Sequence, residues 1–334
     1  NYTNICKYSC HFCAFSKGKT KENLRGKPYL IDNDEIARRA DEAWSKGALE
    51  VCLQGGIHPH YDGNTYLDIC KAIKNKVPEI HIHAFSPLEV THGAHSLGLP
   101  IKEYLLMLKE AGLSTMPGTA AEILDDDIRA NICPDKLNSD EWINVIKTAH
   151  KVGIKTTSTI MFGHTERPYD WSTHLIKLRD LQKETGGITE FIPLPYVSME
   201  SPMYKRGNAR PGPTFREVLL MHAISRLALH PHINNIQASW VKLGRDGALS
   251  CLNAGVNDMG GTLMNESISR AAGSIHGQEF EAKRMEDFIN EAGRKPQLRN
   301  TTYEAIQMNE DRYISTYLDL NPMHGLMDSA HPLA

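Results

Sequence analysis

The chain has 334 residues, 41% of them apolar, with a formal net charge of -3. That is enough for a sizeable core in one or two domains, and it leaves no basic footprint for nucleic acid. Seven cysteines, an odd number, do not make a disulfide framework, and no apolar run nears the ~18 residues of a membrane span, so a cytoplasmic globular protein with neither nucleic acid nor membrane as partner is expected.

Residues 1–16 read NYTNICKYSCHFCAFS and place Cys6, Cys10 and Cys13 in a C-x3-C-x2-C spacing. The stretch reads as a strand delivering a loop, and the lack of an initiator methionine suggests a segment ahead of residue 1. Three thiolates are one short of a closed tetrahedral zinc site. They suit a [4Fe–4S] cluster with three cysteine-bound irons and one open iron. A zinc site completed by His11, His58 or His60, or three free thiols, are the other readings of the spacing. Cys52, Cys70, Cys133 and Cys251 fall in apolar or helical surroundings and read as buried, inert thiols.

After a polar connection at 17–27, Asp32 and Glu35 make a capping-box spacing before the helical stripe Ile36, Ala40, Ala43 and Trp44. A strand at 49–53 runs into Gln54-Gly55-Gly56. A helix at 66–76 stops before Pro78. Residues 80–85 alternate as a strand with His81 and His83 on one face. A helix at 101–111 ends at Gly112, and a strand at 113–116 runs into Pro117-Gly118-Thr119-Ala120-Ala121-Glu122. Helices follow at 125–131 and 139–152. The β-branched stretch 155–162 is a strand running into Gly163-His164. A helix at 171–184 ends at Gly186-Gly187, and the strand at 188–192 stops at Pro193. Thr214 and Glu217 box a helix to about residue 229. A strand at 235–240, a helix at 243–253 and a short strand at 255–257 close the alternation. Helices at 266–272 and 280–292 precede an irregular stretch, 297–334.

Strand and helix alternate at least seven times, which argues for a parallel sheet with crossover helices. No G-x-G-x-x-G follows a strand, which removes the best sign of a dinucleotide-binding sheet. The expected fold is an α/β barrel of the (β/α) type, full or nearly full, over residues 1–264, with 265–334 as a C-terminal helical cap and tail. Barrel chemistry collects at the C-terminal ends of strands. Cys6 to Cys13, Gln54 to Gly56, Phe85 and Ser86, Glu122, Gly163 and His164, and Gln237 to Trp240 all fall there.

Each candidate has a plainer reading beside the functional one. Gln54 and Gly56 either bring backbone against a ligand or form an ordinary turn. Glu122 either binds an ammonium or ribose hydroxyls, or pairs with a helix dipole. His83, nearer the strand's C-terminal end than His81, lines the cavity or is a satisfied core group. His164 and Glu166 carry protons or are rim polar groups. The Gly-rich stretch from Asn257 and Asp258 to Glu266 recognises a hydrogen-bonding substrate or forms a turn and cap.

The loop at Cys6 to Cys13, with Phe12 before the last cysteine, resembles the signature of radical S-adenosylmethionine (SAM) enzymes. MPGTAAEILDDDIRANICPDKL from Met116, TTSTIMFGHTE from Thr156, QASWVKLG from Gln237 and GVNDMGGTLMNESISRAAGSIHG from Gly255 closely resemble the family of the second FO synthase subunit. That branch also holds enzymes of the futalosine route to menaquinone, which look more like a triple-Gly version at Gly118-Thr119-Ala120. Where many superfamily members carry an acid after the Gly pair, this chain has Ile57.

The resemblance implies a radical SAM barrel whose cluster is held by Cys6, Cys10 and Cys13, with SAM consumed as co-substrate. It implies cleavage of L-tyrosine by a 5′-deoxyadenosyl radical and transfer of the 4-hydroxybenzyl group to 5-amino-6-(D-ribitylamino)uracil, in the synthesis of deazaflavin (FO, coenzyme F-420). Phe12, Gln54, Gly56, Ser86 and Glu122 are then expected at SAM, and His83, Ser158, Gln237, Asn257, Asp258 and Glu266 at the substrates. His164 and Glu122 are the catalytic candidates. A flavodoxin- or ferredoxin-type one-electron donor and the other FO synthase subunit are the implied partners. A menaquinone-route enzyme, a zinc-stabilised binding module and a cofactorless barrel enzyme are the rivals.

Overall fold

The computed structural model describes residues 1–16, 27–264 and 266–306. Contacts divide the chain into two units. The first comprises Asn1–Tyr8, Ser16–Pro117 and the stretch from Gln297; the second comprises Ser9–Phe15 and Gly118–Pro296.

The first unit runs α1 (Asn33–Ser45), β1 (Glu50–Leu53), α2 (Gly63–Lys76), β2 (His81–Ala84), α3 (Pro87–Ser96), α4 (Ile101–Glu110) and β3 (Thr115–Met116). The strands pair in parallel, Cys52 opposite His83 and His83 opposite Thr115. Asp32 caps α1 by accepting from the Glu35 amide, as the sequence spacing predicts. The apolar faces of the helices, Tyr66, Ile69 and Ile73 of α2 and Tyr104, Leu105 and Leu108 of α4, form the core with Ile82 and Ala84 of the sheet.

Two expectations are corrected in this unit, and one helix stands where none was expected. The opening residues are not a strand: Thr3 makes a single antiparallel bridge to Leu30. The helix α3 escapes the periodicity because His92, Gly93 and His95 interrupt its apolar face, although Ser86, Pro87 and Glu89 give it a full capping box. Cys52 is exposed, unlike Cys70. It alternates with the buried Leu53 and so points to the opposite face of β1.

The second unit contains α5 (Asp126–Ile132), α6 (Ser139–Lys151), β4 (Lys155–Phe162), α7 (Pro168–Thr185), β5 (Ile188–Pro195), α8 (Pro202–Lys205), α9 (Phe215–Leu229), α10 (Trp240–Leu252), α11 (Ile268–Ala271) and α12 (Ala282–Glu291). β4 and β5 pair in parallel as far as Phe162 and Pro195. β5 passes the expected stop at Pro193 for a geometric reason. The Tyr196 amide bonds to Phe162 on β4, whereas the Phe191 amide bonds to Asn235 on the other side. Odd-numbered amides thus face away from β4, and Pro193 and Pro195 have no bond to it to lose.

The strands expected at 235–240 and 255–257 are single parallel bridges, Phe191 with Ile236 and Gln237 with Asp258. They are short because α10 already begins at Trp240, and it kinks at Gly244 (φ 69, ψ 178). α11 and α12 stand where the two late helices are expected. They pack on this unit: the Phe280 ring lies 5.4 Å from Trp240 and 6.0 Å from Phe288. Residues 17–26, 265 and 307–334 lie outside the described residues. Among the described residues no helix is long and apolar enough to cross a membrane.

Candidate active site

The loop at 9–15 is tied into the second unit by backbone bonds. The His11 amide donates to Ile132 O at 2.8 Å and its carbonyl accepts from Met203 N at 2.9 Å. His11 Nδ1 lies 2.6 Å from Asn131 O. A Cys13 N–H to Cys10 O bond of 3.2 Å puts both cysteines on one turn. The Cys10 thiol is buried, and burial pushes it up to about 12 against the opposing pull of Lys136.

Beside that turn, Lys136 Nζ lies 5.2 Å from the centroid of the Phe12 ring and 2.7 Å from Glu122 Oε1. Burial works against the Lys136 ammonium, but Cys10 and Glu122 hold it above its ordinary range. Glu122 sits at φ 49 and Ala120 at φ 62, a conformation that L-residues adopt only when the surroundings impose it. The surroundings are visible. The Arg129 guanidinium bonds to Ala121 O, to Ala120 O at 3.4 Å and to Ile123 O at 3.3 Å. Gly118 lies so close to β4 that a Cβ would stand 2.3 Å from Thr157 O.

Near the start of β5, Gln237 Nε2 donates to the buried Glu190 carboxylate at 3.0 Å. Asp258 pairs with Gln237 through the bridge and accepts from Gly260 N at 2.6 Å. The structure thus groups Gln237 and Asp258 with Glu190, a residue the sequence does not single out. Glu266 accepts from Ser269 N at 2.9 and 3.0 Å, opening α11, while its charge acts on Lys242 and Arg270.

Three expected site residues make local structural contacts. Ser158 is wholly buried and donates to Glu190 O at 2.9 Å. Asn257 points outward, accepting from Ile236 N at 2.9 Å and Arg226 Nη2 at 2.8 Å. His164 is fully enclosed, with Nδ1 3.2 Å from Glu166 Oε2 and Nε2 3.1 Å from Met161 O. Its imidazole has no open face for a substrate.

In the first unit, Cys6 Sγ accepts from Ile57 N at 3.3 Å, and the Lys7 amide donates to Ile57 O at 2.9 Å. The Gly pair is required by this packing. A Cβ on Gly55 would lie 2.3 Å from the Tyr2 ring, and one on Gly56 2.2 Å from Ile5 O. Gln54 reaches towards Cys52 Sγ at 3.8 Å. Ser86 donates to the buried Glu89 at 2.6 Å through Oγ and 2.7 Å through N, and Tyr2 OH also donates to Glu89. Phe85, just before Ser86, has φ 61. His83 and His81 share the Thr115 hydroxyl, at 2.7 Å each. Burial drives the His83 imidazole down to about 3, so it is neutral.

Among the described residues no three His, Cys, Asp or Glu side chains are already gathered closely enough to hold a metal ion. The donor set still fits an iron–sulfur cluster. Cys10 and Cys13 share one turn, Cys6 has its sulfur held by a backbone amide, and Cys10 is enclosed where an unligated thiolate is unsupported.

Parallel strands with crossover helices, behind a three-cysteine loop, define the radical SAM class. The description "Radical SAM superfamily" matches residues 1–175 and "CofH/MqnC C-terminal region" matches residues 185–312. The chain is 48% identical over 310 residues to the 5-amino-6-(D-ribitylamino)uracil–L-tyrosine 4-hydroxyphenyl transferase of Methanocaldococcus jannaschii, covering 92% of this chain and 85% of that one. It is 48% identical to FO synthase of Streptomyces coelicolor over 93% of this chain but only 36% of the relative, so the chain spans about a third of the FO synthases it matches. Methylornithine synthase shares the fold, with a TM-score of 0.65 at 18% identity, over 89% of this chain and 81% of that one. The chain belongs to the radical SAM superfamily and, within it, to the 5-amino-6-(D-ribitylamino)uracil–L-tyrosine 4-hydroxyphenyl transferase family.

Proposed function

We propose that this chain cleaves L-tyrosine and transfers its 4-hydroxybenzyl group to 5-amino-6-(D-ribitylamino)uracil in deazaflavin synthesis. The observation that carries this is 48% identity over 85% of a relative bearing that transferase name. Cys6, Cys10 and Cys13 would hold a [4Fe–4S] cluster, which would supply the electron for reductive cleavage of bound SAM to methionine and a 5′-deoxyadenosyl radical.

The chain's own residues bind and orient. Lys136 and Glu122, one cation beside one anion at 2.7 Å, suit the carboxylate, ammonium and ribose hydroxyls of SAM, with Phe12 against the adenine. Gln54 and Gly56 offer backbone carbonyls, and Ser86 fixes the neighbouring turn. Glu190, Gln237 and Asp258 provide buried acceptors and donors for the uracil edge and ribityl hydroxyls. His83 is a neutral lining group. Residues 266–296 form a helical cap on the second unit, supported by the Phe280 contacts. A flavodoxin- or ferredoxin-type donor in the cytoplasm and the other FO synthase subunit complete the reading.

The test is anaerobic incubation of reconstituted protein with dithionite, SAM, L-tyrosine and the ribitylaminouracil, read by mass spectrometry. The expected products are 5′-deoxyadenosine and a hydroxybenzyl–uracil adduct. Deoxyadenosine without adduct overturns the substrate assignment and favours futalosine substrates. Retention of deoxyadenosine formation in Cys6→Ala overturns the cluster assignment.

A further inference from the structure

Two cations of the second unit make no side-chain hydrogen bond or ion pair among the described residues. Lys242, in the first turn of α10, makes no hydrogen bond or ion pair through its ammonium. Arg270, on α11, leaves its buried Nε without an acceptor. Neither side chain stands in open solvent, and burial pulls both downward from their ordinary pKa. Two part-buried cations with no hydrogen-bonded partner are costly, so a structural role alone does not account for both.

The two segments pack together. Ser274 donates to Val241 O, and Gly244 lies so near His276 that a Cβ would stand 2.8 Å from that ring. Lys242 lies between those two contact points, and Arg270 lies just before Ser274 and His276. Glu266 acts on both cations. Glu122 also acts on Lys242, but its charge is already matched by Lys136. Two positive charges against one uncommitted carboxylate leave a single positive charge over, which suits a monoanion. An ammonium and a guanidinium carried on two packed segments suit a carboxylate.

We propose that Lys242 and Arg270, whose two charges Glu266 only partly offsets, bind the α-carboxylate of the amino-acid substrate. This rests on the function proposed above. Of the two acceptor and donor substrates in that reading, the ribitylaminouracil carries no acid, so the carboxylate is that of tyrosine. SAM carries the other carboxylate in the reaction, and the test separates the two.

The experiment measures anaerobic equilibrium binding of L-tyrosine, tyramine and SAM to the cluster-loaded protein. In the wild type, tyrosine binds more tightly than tyramine. Lys242→Met and Arg270→Met each weaken tyrosine about tenfold to a hundredfold, as loss of a charge-assisted bond does, while tyramine and SAM are unmoved. Unmoved tyramine and SAM binding also shows that the variants fold. Lys242→Arg and Arg270→Lys, which keep the charge, restore much of the preference and serve if a Met variant does not fold. An unchanged preference for tyrosine in the variants overturns this inference alone, as does a loss that falls on SAM. A wild type that binds no tyrosine overturns the proposed function together with it.

Discussion

The Lys136 ammonium stands 2.7 Å from Glu122 and 5.2 Å from the centre of the Phe12 ring. One cation thereby joins the cysteine loop to the loop after β3. Lys136→Met leaves the Glu122 carboxylate enclosed without its partner, which costs about 1–3 kcal/mol of folding stability. Lys136→Arg keeps most of it. Urea unfolding of the three proteins is the measurement, with SAM binding expected to fall in the Met variant. Equal stability in all three would refute the pairing as a structural element.

Glu89 is buried under four donors, from Tyr2, Ser86 twice, and Gly55. Burial outweighs them and raises its pKa above the ordinary 4.5. A raised carboxyl binds protons more readily in the folded state. Its stabilising contribution is therefore complete below about pH 4.5 and declines as pH rises through the folded value. In Glu89→Gln that decline disappears, and the Tyr2 contact to the Gly55-Gly56 turn loosens. Unfolding free energy of both proteins from pH 4 to 8 tests this; parallel curves would sink it.

Much of this was legible in the sequence because it depends on neighbours in the chain. The helix caps at Asp32 and Thr214 satisfy amides three residues on. The three cysteines announce themselves by spacing. Strand-end position was a weaker guide. It grouped Gln237 and Asp258 correctly with each other, but it gave equal weight to Asn257, whose side chain alternates to the outer face and holds Arg226. Glu190 was invisible because its partner, Gln237, is 47 residues away. Glu89 was hidden in a helix whose apolar face is broken by histidines. Lys242 shows only when Arg270 and Glu266 are brought to it by the fold.

Gly56 is a packing requirement before it is anything else. A Cβ would meet Ile5 O at 2.2 Å and Cys6 Cβ at 2.9 Å, and the first of these is backbone that cannot rotate away. Gly56→Ala should destabilise the protein by about 1–3 kcal/mol and lower the iron and sulfide taken up on reconstitution. Gly98→Ala, where nothing lies within 4 Å but φ is +65, isolates the backbone strain from the clash. A Gly56→Ala protein with full iron content would show that the Cys6 segment does not depend on this contact.

His164 was expected to carry protons, and its buried contacts give it a pH signature of their own. Burial holds the imidazole below its ordinary 6.5, against the raising effect of Glu166. Glu166 is itself held below 4.5: burial opposes this, but His164, the Gly163 amide and Trp171 prevail. For both groups the unfolded chain binds protons more readily, so stability falls as pH drops through 6.5 for His164 and through 4.5 for Glu166. His164→Gln should therefore show a shallower loss of stability on acidification from pH 7 to 5. The loss is not abolished, because buried His83, His174 and His222 share the same sign. The pH profile of deoxyadenosine formation should keep its shape in this variant. If a limb of that profile disappears while the stability curve is unchanged, His164 is a proton carrier and the enclosed geometry has been misread.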